Sequence, residues 1–154
     1  MPLFNVRVYG ILIDEEDRLL VSDEFIRGAY ITKLPGGGLE IGEGTRDGLA
    51  REFMEEANLK ITVGDHFYTT DFFQISAFNN VDQIISIYYL VHSENTKDIQ
   101  AKTVAFDFLP EQVADIKGTA EHLRWIPLSE LKVEDMTLPI DKVAIQMLLS
   151  KKLV

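Results

Sequence analysis

The sequence predicts an α+β protein, an α/β/α sandwich in which a mixed β-sheet lies between helices. Stretches rich in β-branched and aromatic residues alternate with a few amphipathic stretches at helical spacing. This mixture favours helices layered on both faces of a mixed sheet. The chain has 154 residues, without an internal repeat or a Pro/Ser-rich linker. We therefore expect a single domain over residues 1–154.

Seven stretches are predicted as strands, and Asp14–Asp17 is expected to form a turn between the first two. The predicted strands are Val6–Ile13, Arg18–Ser22, Ala29–Lys33, Leu59–Val63, Phe67–Ile75, Gln83–His92 and Leu123–Ile126. The predicted helices are Thr45–Asn58 and Ile140–Leu149, with Pro139 placed to begin the second. Short helical turns are expected at 111–116 and 128–131.

Composition and charge exclude several classes of function. The formal net charge is −10, and no cluster of Lys and Arg is present, so no nucleic-acid partner is expected. No apolar run is long enough to cross a bilayer, so no membrane partner is expected. The chain has no cysteine, which excludes disulfides, a thiolate nucleophile and a Cys-ligated zinc site. The N-terminus lacks a basic stretch followed by an apolar region, so we expect a cytoplasmic protein.

Three carboxylates share one face of the first predicted helix. Glu52, Glu55 and Glu56 stand at i, i+3 and i+4, within an arc of roughly 100°. The apolar residues that we expect on the opposite face are Leu49, Ala50, Phe53, Met54 and Ala57. Like charges at this spacing repel, and Arg51 is expected to point about 100° away from Glu52. A hard divalent cation, Mg²⁺ above all, would neutralise such a stripe.

A glycine-rich segment precedes this helix. Gly36, Gly37 and Gly38 carry no side chains, so their backbone can approach phosphates or turn a carbonyl toward a metal. Gly42 and Gly44 flank Glu43 and permit a second tight turn, and Thr45 is the expected N-cap. Taken alone, a Glu-rich helix face is usually solvated, and a glycine triplet is usually a hairpin turn.

In combination, the two features resemble the signature of the Nudix family. Gly37 is followed after five residues by Glu43, and Arg51-Glu52 follow after seven more. Phe53, Met54, Glu55 and Glu56 come next, and Ala57-Asn58-Leu59 close a box over residues 37–59. Six such matches would arise by chance roughly once in 10⁷–10⁸ windows. The one departure is Asn58, where the family has glycine; asparagine is the next-best residue for a left-handed helix end.

The resemblance implies a Nudix-like fold and a role for each matching residue. Glu52, Glu55 and Glu56 would bind Mg²⁺ or Mn²⁺, with the Gly36 carbonyl completing the shell. Glu55 and Glu56 would also be catalytic, together with Arg51 and Glu43, which would pair and orient the ligands. Gly37 and Gly38 would contact the substrate. A homodimer is common in the family.

Candidates outside the box rest on position alone. Glu121 is our candidate general base, and a solvated carboxylate is an equally good interpretation of it; Glu94 and Asp107 are weaker candidates. Arg27 and Lys33 lie upstream of the glycines and are candidate phosphate contacts. His122 is interpreted as polar surface more readily than as a site residue. The aromatic residues that we consider for stacking on a base, though each is more often core or interface, are Tyr30, Phe67, Tyr68, Phe72 and Phe73.

The function expected from the resemblance is Mg²⁺-dependent hydrolysis of a phosphoanhydride bond. The substrate would be a nucleotide-type small molecule: a nucleoside triphosphate, a nucleotide sugar, ADP-ribose or a similar compound. The alternative is a Nudix-fold module that senses a nucleotide without turning it over. Regulatory members often lose box glutamates, whereas every box carboxylate is present here.

Overall fold

The computed structural model of the chain describes residues 1–151; residues 152–154, the end of the predicted domain, lie outside the described part. Within residues 1–151 the chain forms eight strands and two α-helices. The strands are β1 (Phe4–Leu12), β2 (Arg18–Ile26), β3 (Ala29–Lys33), β4 (Gly36–Gly38), β5 (Thr62–Thr69), β6 (Gln83–His92), β7 (Ala101–Lys102) and β8 (Thr119–Pro127). The helices are α1 (Thr45–Ala57) and α2 (Pro139–Ser150), and short 3₁₀ turns lie at Thr96–Asp98, Pro110–Gln112 and Val133–Asp135.

The chain divides into two compact units. The first contains Met1–Leu12 and Pro35–Asp98, and the second contains Ile13–Leu34 and the chain from Ile99 onward. Each unit has one four-stranded sheet and one α-helix.

The sheet of the first unit has the order β4-β1-β6-β5. β1 pairs in parallel with β6 and antiparallel with the glycine strand β4, while β5 pairs antiparallel with β6 through a bulged register. Helix α1 contacts β1, β4 and β5. Phe53 of α1 is fully buried, and a Cβ placed on Gly10 of β1 would lie 2.6 Å from its ring. The absence of a side chain at Gly10 is therefore what allows the helix to approach the sheet.

The sheet of the second unit has the order β3-β2-β8-β7. β2 and β3 form a hairpin whose two-residue turn, Arg27-Gly28, has φ values of 50° and 82°. Positive φ at both positions matches the twist of the strands that the turn joins. Before α2, Thr137 exchanges two hydrogen bonds with Thr32 of β3.

A buried polar network crosses the sheet of the second unit. Asp23 of β2 is fully buried, and Arg124 of β8 donates two hydrogen bonds to it, at 2.7 and 3.1 Å. Thr32 and the Phe106 amide also donate to its carboxylate. Because a buried charge is tolerated only when paired and hydrogen-bonded, this set of donors explains why Asp23 can lie in the core.

The α+β class is confirmed, and several boundaries were wrong. Two four-stranded sheets replace the single mixed sheet that we expected. Leu59–Val63 and Phe67–Ile75 are not two strands, because β5 alone covers Thr62–Thr69. β2 and β8 are longer than predicted, whereas β3 and β6 have the predicted bounds. The glycine triplet, expected to be part of a loop that leads into the helix, forms an edge strand against β1. The ends of these strands depend on pairing with strands that are distant in the chain. The local composition of a segment does not predict such pairing.

Within residues 1–151, no helix is both long and apolar enough to cross a membrane.

Candidate active site

The site is built where helix α1 faces the glycine strand β4. A Cβ on Gly37 would lie 2.6 Å from both the carboxyl carbon and an oxygen of Glu52. The neighbouring amide of Gly36 donates to Glu56 Oε2 at 3.3 Å. Two of the three predicted ligand carboxylates therefore lie against this strand, and the space that Gly37 leaves is the space that Glu52 occupies.

Arg51 joins the loop before α1 to the helix. Its Nε and Nη2 donate to the two oxygens of Glu43, at 3.0 and 2.6 Å, in the bidentate geometry that suits a guanidinium. Nη2 also donates to the carbonyl of Gly38. Nη1 donates to Glu52 at 3.1 Å and to Glu55 at 3.3 Å. The pairing of Arg51 with Glu43 that the resemblance implies is present.

Arg51 and Glu43 shift each other's pKa. Hydrogen bonds donated by Arg51 lower the pKa of Glu43 to about 2, and a hydrogen bond donated by the Glu40 amide makes the second-largest contribution. The hydrogen bonds that Glu43 accepts from the guanidinium raise the pKa of Arg51 further above its already high value. Glu43 and Arg51 are therefore both charged across the whole physiological range of pH. Their ion pair, which joins the loop to the helix, is not broken by titration within that range.

The N-terminal end of α1 differs from the prediction, and the C-terminal end agrees with it. Gly44, not Thr45, is the N-cap, and no side-chain hydrogen bond caps the helix. The Thr45 hydroxyl instead shares a 2.7 Å hydrogen bond with the Tyr89 hydroxyl on β6. Asn58 ends the helix with φ 49° and ψ 42°, which confirms the left-handed conformation expected at the position where the family signature has glycine.

Two further expectations about α1 were wrong. Arg51 was expected to point away from Glu52, yet its long side chain bends back and partly neutralises Glu52 and Glu55. Met54 was expected on the buried face and is exposed. At about 100° per residue, the fully buried Leu49 and Phe53 fall about 60° and 100° from Glu52. The buried face therefore adjoins the carboxylates instead of opposing them.

The donor set at this junction fits a hard divalent cation. Among residues 1–151, no three His, Cys, Asp or Glu side chains converge closely enough to enclose a metal ion. Arg51 holds Glu43 and Glu55 in ion pairs. Glu52 and Glu56 nevertheless offer carboxylate oxygens beside a strand without side chains, and such oxygens are the ligands that Mg²⁺ prefers. Glu55, whose side chain is 58% exposed, is able to turn.

Three of the candidates outside the box, Glu121, Lys33 and Arg27, belong to the second unit. Glu121 is exposed and lies in strand β8, opposite Glu24 of β2, and not in a loop. Lys33 is buried, and its ammonium forms an ion pair with Glu24 at 3.1 Å, a partner that the sequence did not reveal. Arg27 is exposed at the hairpin turn. The roles of Glu121, Lys33 and Arg27 stay predictions.

The remaining candidates occupy varied surroundings. His122 is not simply polar surface, because its Nε2 is buried without a hydrogen-bond partner and its ring packs on Phe108. Asp107 forms an ion pair with Lys102, and Glu94 lines an open pocket beside Lys60 and His92. The aromatic candidates divide by exposure: Phe67 is buried, Tyr68 stacks on the core residue Tyr88, and Tyr30, Phe72 and Phe73 are exposed.

One contact of helix α1 was not predicted from the sequence. Tyr89 is buried, bonds to the first turn of α1 through Thr45, and lies beneath the guanidinium of Arg46 at 4.9 Å. Nothing in the local sequence distinguishes Tyr89 from its neighbour Tyr88, because only the register of β6 places it on the face that α1 covers.

The glycine strand β4, the glutamates of α1 and the ion pair of Arg51 with Glu43 thus bring residues of the signature together. The model of the NUDIX domain matches residues 3–147. The chain belongs to the Nudix family. The match extends far beyond the 23 residues of the box, so the Nudix relationship does not rest on the motif alone.

Individual relatives are more distant. A curated MutT-like protein from Streptomyces ambofaciens is 38% identical over 64 residues, which cover 42% of this chain and only 40% of that protein. A Nudix hydrolase from Nitrosomonas europaea has a TM-score of 0.63 at 21% identity, over 99% of this chain and 91% of that one. A MutT protein from Methanosarcina mazei has a TM-score of 0.61 at 20% identity, over 98% and 97%. At these identities the structures show a shared Nudix fold.

Proposed function

We propose that this Nudix protein is a pyrophosphohydrolase that cuts a phosphoanhydride bond in a nucleotide derivative with the help of Mg²⁺ or Mn²⁺. The observation that carries the proposal is the placement of Glu52 and Glu56 against the side-chain-free strand at Gly36 and Gly37. Residues 1–154 would act as one domain, in line with the family match over residues 3–147.

The chain's own groups have distinct tasks in this proposal. Glu52 and Glu56 would hold the divalent ion, Glu55 would join them after leaving Arg51, and the Gly36 carbonyl would complete the shell. When bound, the ion neutralises diphosphate charge and makes a coordinated water more acidic. Arg51 and Glu43 fix the position of α1 relative to the strand, so that the ligands are oriented before substrate arrives.

The negatively charged substrate has to approach a protein that is itself negatively charged. With a net charge of −10, the protein repels free polyphosphate, and a divalent ion that binds both partners removes that repulsion. Glu121 as general base, and Gly37, Gly38, Arg27 and Lys33 as substrate contacts, complete the proposal. A nucleoside triphosphate, a nucleotide sugar or ADP-ribose fits this chemistry, and MutT proteins are among the solved structures that share the fold.

A nucleotide-sensing module without turnover is the competing proposal. The presence of Glu43, Arg51, Glu52, Glu55 and Glu56 favours catalysis, because a pure sensor has no need of a complete acidic box.

The substitution Glu56→Gln tests the catalytic assignment. Glutamine keeps an oxygen that accepts from the Gly36 amide but loses the charge that binds the cation, so the fold should persist while kcat falls about 10²–10⁴-fold. Glu15→Gln, at an exposed turn, is the matched control and should retain full activity. Near-normal turnover by the Glu56 variant would remove that residue from the mechanism.

A substrate screen decides between hydrolase and sensor. Nucleoside triphosphates, nucleotide sugars and ADP-ribose are incubated with the protein and Mg²⁺, and phosphate is measured after a phosphatase is added. Turnover of one class identifies the substrate. Tight nucleotide binding with no phosphate released from any of them would favour the sensor.

A further inference from the structure

Arg7 of β1 lies beside the glycine strand of the candidate site. In the antiparallel register of β1 and β4 it is the partner of Gly38. A Cβ placed on Gly38 would lie 3.7 Å from Arg7 Nη1. The guanidinium therefore extends from β1 to the neighbouring strand, next to a residue that we propose as a substrate contact.

The two faces of β4 meet different side chains. A Cβ on Gly37 would point at the Glu52 carboxylate of α1, whereas a Cβ on Gly38 would point at Arg7. Successive residues of a strand point to opposite faces of the sheet. Arg7 and Glu52 therefore lie on opposite faces of the same short strand.

The outer edge of β4 borders both of these faces. The residues on either side of the strand, Pro35 and Leu39, bond to β1 through backbone groups. Because alternate residues of an antiparallel strand face the partner strand, Gly36 and Gly38 turn their amides and carbonyls to the outer edge of the sheet. There the Gly36 amide donates to Glu56. A diphosphate held by an ion on that carboxylate would lie at this edge.

The guanidinium of Arg7 is held in place by Tyr9. Its Nε donates to the Tyr9 hydroxyl at 2.6 Å, and its central carbon lies 5.7 Å from the centre of that ring. Tyr9 itself is buried and stacks on Tyr88 of β6, with the ring centres 5.4 Å apart. A side chain that is already ordered in this way loses little conformational entropy when it binds a ligand.

We propose that Arg7 binds a phosphate group of the substrate at the outer edge of β4, and that Tyr9 is its positioning residue. This assignment depends on the proposed function, in which Glu52 and Glu56 hold the divalent ion. A guanidinium is planar and permanently charged, and its paired N–H groups match phosphate oxygens. In a chain with a net charge of −10, a cation at this edge reduces the repulsion that a phosphate meets.

The binding of methylenediphosphonate tests the contact, because this diphosphate analogue resists hydrolysis and carries no nucleoside. Isothermal titration calorimetry with Mg²⁺ should give a dissociation constant about 10–100-fold higher for Arg7→Met than for the wild type. The matched control is Arg46→Met, which removes the same charge from a guanidinium that also lies over a tyrosine ring, at 4.9 Å. The control should bind as the wild type does. Wild-type affinity in Arg7→Met, equal losses in both variants, or no binding by the wild type would overturn the proposal.

The substitution Tyr9→Phe tests the positioning role. Phenylalanine keeps the ring that stacks on Tyr88 but lacks the hydroxyl that accepts from Arg7. The dissociation constant should rise about 3–10-fold. It should not rise further when Arg7→Met is already present, because Tyr9 acts through the guanidinium. Additive losses in the double variant would contradict the positioning role.

Arg7→Lys covers the case in which Arg7→Met fails to fold. Lysine keeps the charge but lacks the paired donors of a guanidinium, so its affinity should fall between those of Arg7→Met and the wild type. A folded Arg7→Lys protein with wild-type affinity would contradict a paired contact with phosphate.

Failure of this assignment and failure of the proposed function give different results. The calorimetric measurement needs no turnover, so it applies equally to a hydrolase and to a sensor. A wild type that binds methylenediphosphonate but releases no phosphate in the substrate screen would count against the hydrolase alone. Unchanged affinity in Arg7→Met, beside normal turnover, would count against Arg7 alone.

Discussion

At the scale of single residues, two adjacent glycines of β4 have different functions. A Cβ at Gly37 would collide with the Glu52 carboxylate, whereas a Cβ at Gly38 would meet nothing closer than Arg7 Nη1, at 3.7 Å. Gly37 is therefore required by the Glu52 side chain and not by its own backbone conformation. The signature glycine is explained by the carboxylate that it accommodates.

The substitution Gly37→Ala should cost activity rather than stability. The end of the Glu52 side chain is flexible enough to move away from the new methyl group, so the melting temperature should change little. A ligand displaced by about 1 Å lowers catalysis on the order of 10²-fold. Steady-state kinetics with Mg²⁺ measures the effect, and the control is Gly44→Ala, where a Cβ would meet nothing closer than Asp47 Oδ2 at 3.7 Å. Similar kcat/KM values for the two variants would refute the proposed accommodation of Glu52.

Glu43 makes stability depend on pH. Its pKa falls from 4.5 to about 2 in the folded protein, so its ion pair with Arg51 stabilises the fold fully above pH 4.5. That contribution is lost as the pH falls through 2. Glu43→Gln should therefore melt below the wild type at pH 7, and the difference should shrink as the pH is lowered from 4.5 toward 2. Thermal denaturation followed by circular dichroism tests this. A difference that is constant over that interval would exclude the Glu43 charge as its source.

At the scale of elements, helix α1 is held to its sheet at one point by the packing of a buried side chain and at another by a hydrogen bond. Phe53 fills the space above Gly10, and Thr45 bonds to Tyr89 in place of an N-cap side chain. These contacts set the height and rotation of the helix over β1, β4 and β5. The carboxylates reach β4 because the helix lies this close.

The substitution Gly10→Ala should destabilise the protein by about 1–3 kcal/mol, since the buried Phe53 ring has no room to move. Urea denaturation gives the free energy of unfolding. The control is a cycle with Phe53→Leu, which shortens the side chain: the double variant should lose less than the sum of the single variants. Additive losses would show that the two residues do not compete for the same space.

At the scale of the whole molecule, the acidic balance leads us to expect that divalent cations stabilise the folded chain. Twenty-five acidic residues face fifteen Lys and Arg, and Arg51 neutralises only part of the box. A bound divalent ion removes repulsion that the folded chain otherwise retains, so ligand and stability are linked.

Mg²⁺ should raise the melting temperature by about 3–6 °C at a concentration ten times its dissociation constant. NaCl at the same ionic strength is the control for general screening and should have a smaller effect. In the double variant Glu52→Gln/Glu56→Gln the Mg²⁺-specific increment should disappear. An equal increment in that variant would place the ion elsewhere on the chain.

The sequence by itself determined the family, the α+β class and the composition of the acidic box. It also determined the left-handed end of α1 at Asn58. These depend on local conformation and on residue spacing along one helix, which the sequence displays directly. The 23-residue box was enough to predict a relationship that the family match extends over residues 3–147.

Only the tertiary structure decided how those residues are arranged. The glycine triplet became an edge strand because β1 pairs with it, and Arg51 turned back onto Glu52 and Glu55 because Glu43 and the Gly38 carbonyl anchor its guanidinium. Glu24 was revealed as the partner of Lys33 by the pairing of β2 with β3, and Tyr89 as the partner of Thr45 by the packing of α1 on its sheet. Contacts between residues distant in the chain depend on pairing and packing, and neither leaves a local trace in the sequence.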